Sequence, residues 1–145
     1  MSTAIVYAST HHGNTKMLID AIAAKFDVTL IDATKETAKD LSSYDLIGFA
    51  SGVYFFKFHR SVMDFASANL PEGKKTFLIC TYGGSEAHSS MEHIIQNKKS
   101  TVIGKYDCKG YDTFGPFKLV GGVAKGHPTD QEIAGAVEFY SSLMK

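Results

Sequence analysis

The sequence predicts an α/β fold in which a parallel sheet of five strands lies between two layers of helices. Two observations support this prediction. Short apolar runs alternate along the chain with segments whose apolar residues recur at three- and four-residue spacing, as in helices with one buried face. The third and fourth apolar runs lack polar alternation, which is typical of strands covered on both faces. Such a chain forms a parallel sheet with right-handed crossovers.

Apolar runs divide the first third of the chain into three strands. A helical pattern over residues 14–25 follows the first strand. A weaker helical pattern over residues 35–41 follows the second, with only Ala38 and Leu41 to bury. The three predicted strands are residues 4–8, 28–31 and 46–50.

Aromatic residues are concentrated after the third strand, where residues 52–59 are expected to form an aromatic loop. A helix that buries Phe65 follows this loop. The fourth strand is predicted at residues 76–80, and Ser85 is expected to cap a helix that continues through Ile95.

The last strand is predicted to lie at the edge of the sheet, because apolar and charged residues alternate over residues 102–108. Residues 110–128 have no clear periodicity, so we expect a long loop there. Thr129 and Glu132 have the spacing of a capping box, and helical spacing then continues to Met144.

Composition limits the class of protein. A chain of 145 residues that is 44% hydrophobic can bury one core without disulfides or metals, so we expect a single domain over residues 1–145. Fifteen basic and fifteen acidic residues balance, which disfavours nucleic acid or a membrane surface as the partner. No run approaches the roughly 20 apolar residues of a membrane helix. Cys80 and Cys108 are expected to be buried thiols, so we expect a cytoplasmic protein.

A polar loop between the first strand and the first helix has the composition of a phosphate site. Unpaired N–H groups and the helix dipole favour an anion there. The loop matches neither G-x-x-x-x-G-K-[ST] nor G-x-G-x-x-G and has no cationic residue before Lys16, so a phosphate monoester held by neutral donors fits best. The alternative is a turn whose hydroxyls cap the helix. The loop consists of Ser9, Thr10, His11, His12, Gly13, Asn14 and Thr15.

The loops after the first, third and fourth strands should meet at one edge of the sheet, where ligands bind in such folds. A phosphate at one end and aromatic side chains at the other indicate a mononucleotide with a flat ring system, and flavin mononucleotide (FMN) matches that outline. Tyr54 and Tyr82 are favoured as ring contacts because each lies just past a strand end; two or three of the aromatic residues should instead pack beneath the loop. The candidates are Tyr54, Phe55, Phe56, Phe58 and Tyr82.

These three loops resemble those of the flavodoxin family, and the similarity covers nearly the whole chain. The resemblance implies a flavodoxin-like three-layer α/β/α sandwich with the strand order 2-1-3-4-5 and an FMN site at the switch point of that order. It also implies that the phosphate-binding and ring-flanking positions are Ser9, Thr10, His11, His12, Gly13, Asn14, Thr15, Ser51, Gly52, Val53, Tyr54, Phe55, Thr81, Tyr82, Gly83 and Gly84.

The chain departs from the flavodoxin pattern in three respects. His11 and His12 stand where hydroxyls are usual, and they either donate to the phosphate or are solvated. Phe55 and Phe56 stand where a small residue is common. The balanced charge differs from the acidic character of flavodoxins, so docking through a broad negative face is not expected.

Other proteins with this architecture are excluded by their chemistry. A phosphoacceptor receiver needs acidic residues where the strands end, but residues 7–9 read Tyr-Ala-Ser and residues 50–51 read Ala-Ser. A cysteine phosphatase needs a cysteine in the phosphate loop, which has none. His88 and His93 are five residues apart, so helical spacing separates them and favours a solvated helix face over a metal site.

Together these features predict an FMN-binding protein without catalytic residues that shuttles electrons between a reductase and an acceptor enzyme. Its expected partners are these redox proteins, with no nucleic acid, membrane or metal. One alternative is a small FMN-dependent NAD(P)H or quinone oxidoreductase, with a substrate pocket formed by residues 111–117 or by the aromatic loop. Another is a flavin-free module whose exposed aromatic residues bind a protein.

Overall fold

The computed structural model describes residues 2–9, 13–110 and 126–145. Its elements alternate between strand and helix through most of the chain. The strands are β1 (Thr3–Ala8), β2 (Val28–Asp32), β3 (Leu46–Tyr54), β4 (Lys57–Phe58), β5 (Lys75–Tyr82) and β6 (Thr101–Lys109), and the helices are α1 (Asn14–Lys25), α2 (Arg60–Asn69), α3 (Ser89–Asn97) and α4 (Asp130–Leu143).

Five of these strands form a parallel sheet in the order β2-β1-β3-β5-β6. This is the predicted order 2-1-3-4-5, and the numbers differ only because the short β4 is added beside β3. In the centre of the sheet, Val6 pairs with Ile31 on one side and with Phe49 on the other. The flavodoxin-like α/β fold is confirmed.

Each face of the sheet has its own hydrophobic core. Alternate residues of one strand point to opposite faces, so Phe49 packs towards α2 and α3, whereas Ala50 packs towards α1 and α4. Tyr140 of α4 is almost fully buried, and its hydroxyl lies 2.8 Å from Thr3 Oγ1 on β1. The first strand and the last helix are therefore held together directly.

The third strand is longer than predicted. β3 continues to Tyr54 because Gly52 still pairs with Thr81 of β5, and its end then folds back as a hairpin with β4. The expected aromatic loop is thus a tight turn. Among its aromatic residues, Phe58 alone is buried in the core, fewer than the two or three expected.

The predicted helix over residues 35–41 is wrong. The segment has too few apolar residues to anchor a helix, and other groups bind its backbone. The Asn69 side chain of α2 donates to the Thr37 carbonyl at 3.0 Å and accepts from the Lys39 N–H at 3.3 Å. Only Leu41 at the end of the segment is fully buried.

The prediction that Ser85 caps the next helix is also wrong. α3 begins four residues later, with His88 at the N-cap position, and the backbone N–H of His88 donates to the Glu86 carboxylate at 3.1 Å. His93 is exposed, as expected, but His88 is buried and so does not belong to a solvated face. Its Nε2 lies 3.2 Å from Asp107 Oδ1, and its Nδ1 has no hydrogen-bond partner among the described residues.

Two predictions about the carboxyl-terminal part of the chain are confirmed. β6 lies at the edge of the sheet and alternates between exposed residues and residues that pack against the neighbouring elements. The capping box of α4 is complete, because Thr129 Oγ1 accepts from the Glu132 N–H and the Glu132 carboxylate accepts from the Thr129 N–H.

Candidate functional site

A cleft opens at the carboxyl edge of the sheet, between the ends of β1, β3 and β5. The strand order reverses here, since the chain leaves β1 to form β2 on one side and returns to form β3 on the other. The three predicted loops therefore do converge. The cleft is lined by Ser9, Asn14, Thr15, Gly52, Val53, Tyr54, Thr81, Tyr82, Gly83 and Gly110.

The amino terminus of α1 forms one end of the cleft. Gly13 occupies the N-cap position with φ of 67°, a left-handed conformation that glycine adopts without strain. Glycine has no side chain to cap the helix, and Ser9 Oγ instead accepts from the Lys16 backbone N–H at 3.1 Å. Asn14 and Thr15 of the first turn line the cleft, so the positive end of the helix dipole lies there.

Two hydroxyls join this helix end to β5. Thr15 Oγ1 and Thr81 Oγ1 lie 2.9 Å apart and are buried. Each residue also lines the cleft. The pair fixes the end of β5 relative to α1, so the loop after β5 begins from a defined position.

Gly110 was not foreseen as a site residue. It follows β6, and its N–H donates to the Tyr82 carbonyl at 2.8 Å. A Cβ atom at position 110 would lie 2.7 Å from Asn14 Nδ2 and 2.9 Å from Asn14 Cγ, well inside contact distance. The absence of a side chain at Gly110 therefore allows Asn14 to occupy its place in the cleft.

The β3–β4 hairpin forms the opposite side of the cleft. Val53 pairs with Phe58 and Tyr54 pairs with Lys57, which leaves a two-residue turn at its tip. The Tyr54 ring meets the His59 ring edge to face, with centroids 5.0 Å apart.

The turn consists of Phe55 and Phe56, which have φ of 51° and 66° and are 70% and 81% exposed. Behind the hairpin, Ser51 Oγ accepts from the His59 N–H at 2.8 Å and donates to the Gly52 carbonyl. Ser51 therefore ties the base of the hairpin to the start of α2.

The polar groups of the cleft are neutral. None of the described residues that line it carries a formal charge at neutral pH. The nearest lysine in sequence, Lys16, is held by Asp20 at 2.6 Å, and this hydrogen bond raises the pKa of the ammonium group. The Tyr82 phenol is neutral at ordinary pH, and burial raises its pKa further.

The structure brings most of the predicted site residues together. Gly13 adjoins the lining residues as the helix cap, Gly84 follows Gly83, Ser51 is buried behind the cleft, and Phe55 lies at the hairpin tip. Thr10, His11 and His12 lie outside the described residues, as does most of the expected loop over residues 110–128. The predicted residues that line the cleft directly are Ser9, Asn14, Thr15, Gly52, Val53, Tyr54, Thr81, Tyr82 and Gly83.

The two cysteines are not placed for nucleophilic chemistry. Cys80 and Cys108 are buried and free, and burial raises the pKa of each thiol to about 12. Over the described ranges there is no group of three or more histidine, cysteine or acidic residues that could hold a metal ion. In the same part of the chain, no helix is both long and apolar enough to span a bilayer.

Comparison with known proteins gives a consistent result. A family model described as a flavodoxin domain matches residues 4–114. An uncharacterized protein from Methanocaldococcus jannaschii is 36% identical over an alignment of 149 residues that covers 100% of this chain and 99% of that protein.

Solved structures share the fold. Oxidised flavodoxin 2 from Bacillus cereus superposes with a TM-score of 0.73 at 18% identity, covering 99% of this chain and 98% of that one. A flavodoxin from the domain Archaea superposes with a TM-score of 0.66 at 20% identity, covering 99% of both chains. The family model spans well over half of the sequence, and the chain therefore belongs to the flavodoxin family.

Proposed function

We propose that the protein binds FMN in the cleft and carries electrons between redox proteins. One observation supports the proposal most directly. Neutral hydrogen-bond donors at the amino terminus of α1 and the aromatic residues Tyr54 and Tyr82 line the same cleft, at the switch point of the sheet. Membership of the flavodoxin family supports the same cofactor.

The donor set at the end of α1 fits a phosphate monoester. Ser9, Asn14 and Thr15 offer hydroxyl and amide groups beside the backbone N–H groups of the first turn, and the helix dipole favours a negative charge there. Gly13 keeps the approach to these N–H groups free of a side chain. Thr10, His11 and His12 complete this loop in the sequence, and we propose that they contribute to the same end of the site.

The residues after β3 and β5 fit a flat ring system. Tyr54 and Tyr82 would flank the ring, and the backbone of Gly52, Gly83 and Gly84 would allow its close approach. The Tyr82 hydroxyl is uncharged at neutral pH, and burial raises its pKa still further, so it would not oppose a gain of negative charge on the ring. The remaining positions assigned to this end are Ser51, Val53, Phe55 and Thr81.

When bound, FMN supplies the one- and two-electron redox chemistry, while the protein sets its position and surroundings. The partners would be a reductase that delivers electrons and an enzyme that accepts them. We place this exchange in the cytoplasm, because both cysteines are free thiols and such thiols suit a reducing compartment.

The proposal is tested by the purified protein itself. We expect a yellow protein whose released cofactor is FMN, and an apoprotein that binds FMN more tightly than riboflavin, which has the same ring but no phosphate. A colourless protein that does not quench FMN fluorescence would refute the cofactor. Rapid oxidation of NADH or NADPH by the protein alone would instead identify a small oxidoreductase.

A further inference from the structure

The two residues at the tip of the β3–β4 hairpin are not ones that the stability of the turn would favour. A two-residue hairpin turn with positive φ at both positions is normally built from Asn-Gly or similar pairs, because other L residues are strained there. Here the positions hold Phe55 and Phe56. These residues are 70% and 81% exposed, so burial offsets little of the strain.

The surroundings of this tip carry a local excess of positive charge. Residues 46–63 include Lys57 and Arg60 but no aspartate or glutamate, although the whole chain is balanced; the nearest acidic residues in sequence are Asp45 and Asp64. Lys57 is exposed, and the Arg60 side chain is 90% exposed. Its carboxylate neighbour Asp64 is one helical turn away at 3.6 Å and is itself 70% exposed, so it screens Arg60 only weakly.

Arg60 also stands where its charge does not help the helix. It is the first residue of α2, whose first turn has no acidic residue, and a cation at that end opposes the helix dipole. Arg60 is four positions after Phe56, so their Cα atoms lie within about 14 Å of each other. Phe55, Phe56, Lys57 and Arg60 are all exposed and thus form one stretch of surface within six consecutive positions.

We propose that this surface, formed by Phe55, Phe56, Lys57 and Arg60, docks a redox protein that presents an apolar recess bordered by carboxylates. The inference rests on the proposed function and names the kind of partner. The tip lies directly after Gly52, Val53 and Tyr54, which line the cleft, so a protein seated on it comes close to the cofactor site. Opposite charges around an apolar centre would steer and orient the encounter.

The test compares two acceptors that differ in charge. Native mitochondrial cytochrome c is basic, and the same protein with succinylated lysines is acidic. In each reaction one electron from the dithionite-reduced holoprotein converts a ferric haem to a ferrous haem. At low ionic strength we expect the acidic form to react at least about tenfold faster than the basic form, and added salt should reduce this ratio.

Matched variants locate the effect. Lys57→Glu/Arg60→Glu should remove the preference for the acidic cytochrome. Lys25→Glu/Lys75→Glu changes the net charge equally at the opposite edge of the sheet, where α1 ends and β5 begins, and should keep it. Phe56→Gly should slow reduction of the acidic cytochrome several-fold while raising resistance to urea, a combination that a purely structural role of the ring would not produce.

A second measurement does not require the flavin. Sedimentation velocity followed at the haem absorption band measures complexes of the same two cytochromes with the apoprotein, so the docking surface is tested even if FMN does not bind. Preference for the basic cytochrome, or equal effects of the two charge reversals, would overturn the proposal. Self-association of the protein that Phe56→Gly abolishes would also overturn it, because the occupant would then be a second copy of the chain.

Discussion

The hydroxyls of Thr15 and Thr81 lie 2.9 Å apart in a buried position, although the two residues are 66 positions apart in the sequence. They connect the first turn of α1 to the last residues of β5, the two elements that carry the predicted phosphate loop and the predicted ring-flanking loop. The geometry of the site therefore depends on a contact between two side chains that also line it.

Replacing either threonine by valine should lower the free energy of unfolding of the apoprotein by about 1–3 kcal/mol, because the remaining hydroxyl is left buried without its partner. The double variant Thr15→Val/Thr81→Val should lose less than the sum of the two single losses. Urea unfolding of all four proteins measures this coupling. Strictly additive losses would show that the two hydroxyls do not stabilise each other.

Gly110→Ala should weaken FMN binding, because the new methyl group displaces Asn14 from the cleft. We expect a loss of roughly ten- to a hundredfold, which corresponds to the loss of one hydrogen bond to a charged group. The control is Gly135→Ala on α4, away from the cleft, where the new Cβ would lie 2.5 Å from the hydroxyl of Tyr106 on β6. That variant should unfold more easily yet bind FMN as before, and equal losses of affinity in both would contradict the role given to Gly110.

Phe56→Gly should raise the free energy of unfolding by about 1 kcal/mol, because glycine adopts a φ of 66° without the strain that a side chain imposes there. The matched variant Phe56→Ala removes the ring but keeps the strain, and it should not stabilise the protein. Urea unfolding compares the two variants. Equal stabilities would show that the turn is not strained at this residue.

Stability should fall as the pH rises above about 8.5, the ordinary pKa of a thiol in an unfolded chain. Burial raises the pKa of Cys80 and of Cys108 to about 12 in the folded protein, so only the unfolded chain loses these protons between the two values. Unfolding in urea at several pH values measures the slope, and Cys108→Ala should reduce it. A thiol reagent should label both residues rapidly only after unfolding, and rapid labelling of the native protein would refute their burial.

The fold could be predicted because its determinants are local. An uninterrupted apolar run predicted the start of β3, and an alternating pattern predicted β6. Each pattern lies within one short stretch of sequence. The prediction of a helix over residues 35–41 was wrong because the side chain of Asn69, which is distant in sequence, binds the backbone of that segment. The predicted start of α3 was wrong for a similar reason, because His88 at its N-cap is buried and contacts Asp107 of the distant strand β6.

The sequence was enough to predict which loops form the candidate site, but not which of their residues are in contact. The residues after three parallel strands must meet at one edge, so the convergence of Ser9, Gly52 and Tyr82 followed from topology alone. The close approach of Gly110 to Asn14 depends on how β6 ends beside α1, which no spacing within the sequence encodes. The extension of β3 into a hairpin likewise depends on pairing with β4.

The hydrogen bond between Tyr140 and Thr3 has a consequence for how the protein is made. β1 leaves the ribosome early, but the sheet face that α1 and α4 cover cannot be closed until α4 has been synthesised. Packing of α1 against α4 completes that face. The helix whose amino terminus lines the cleft therefore gains its full packing only after α4 has been synthesised, so a cofactor that binds there would be captured after translation of α4.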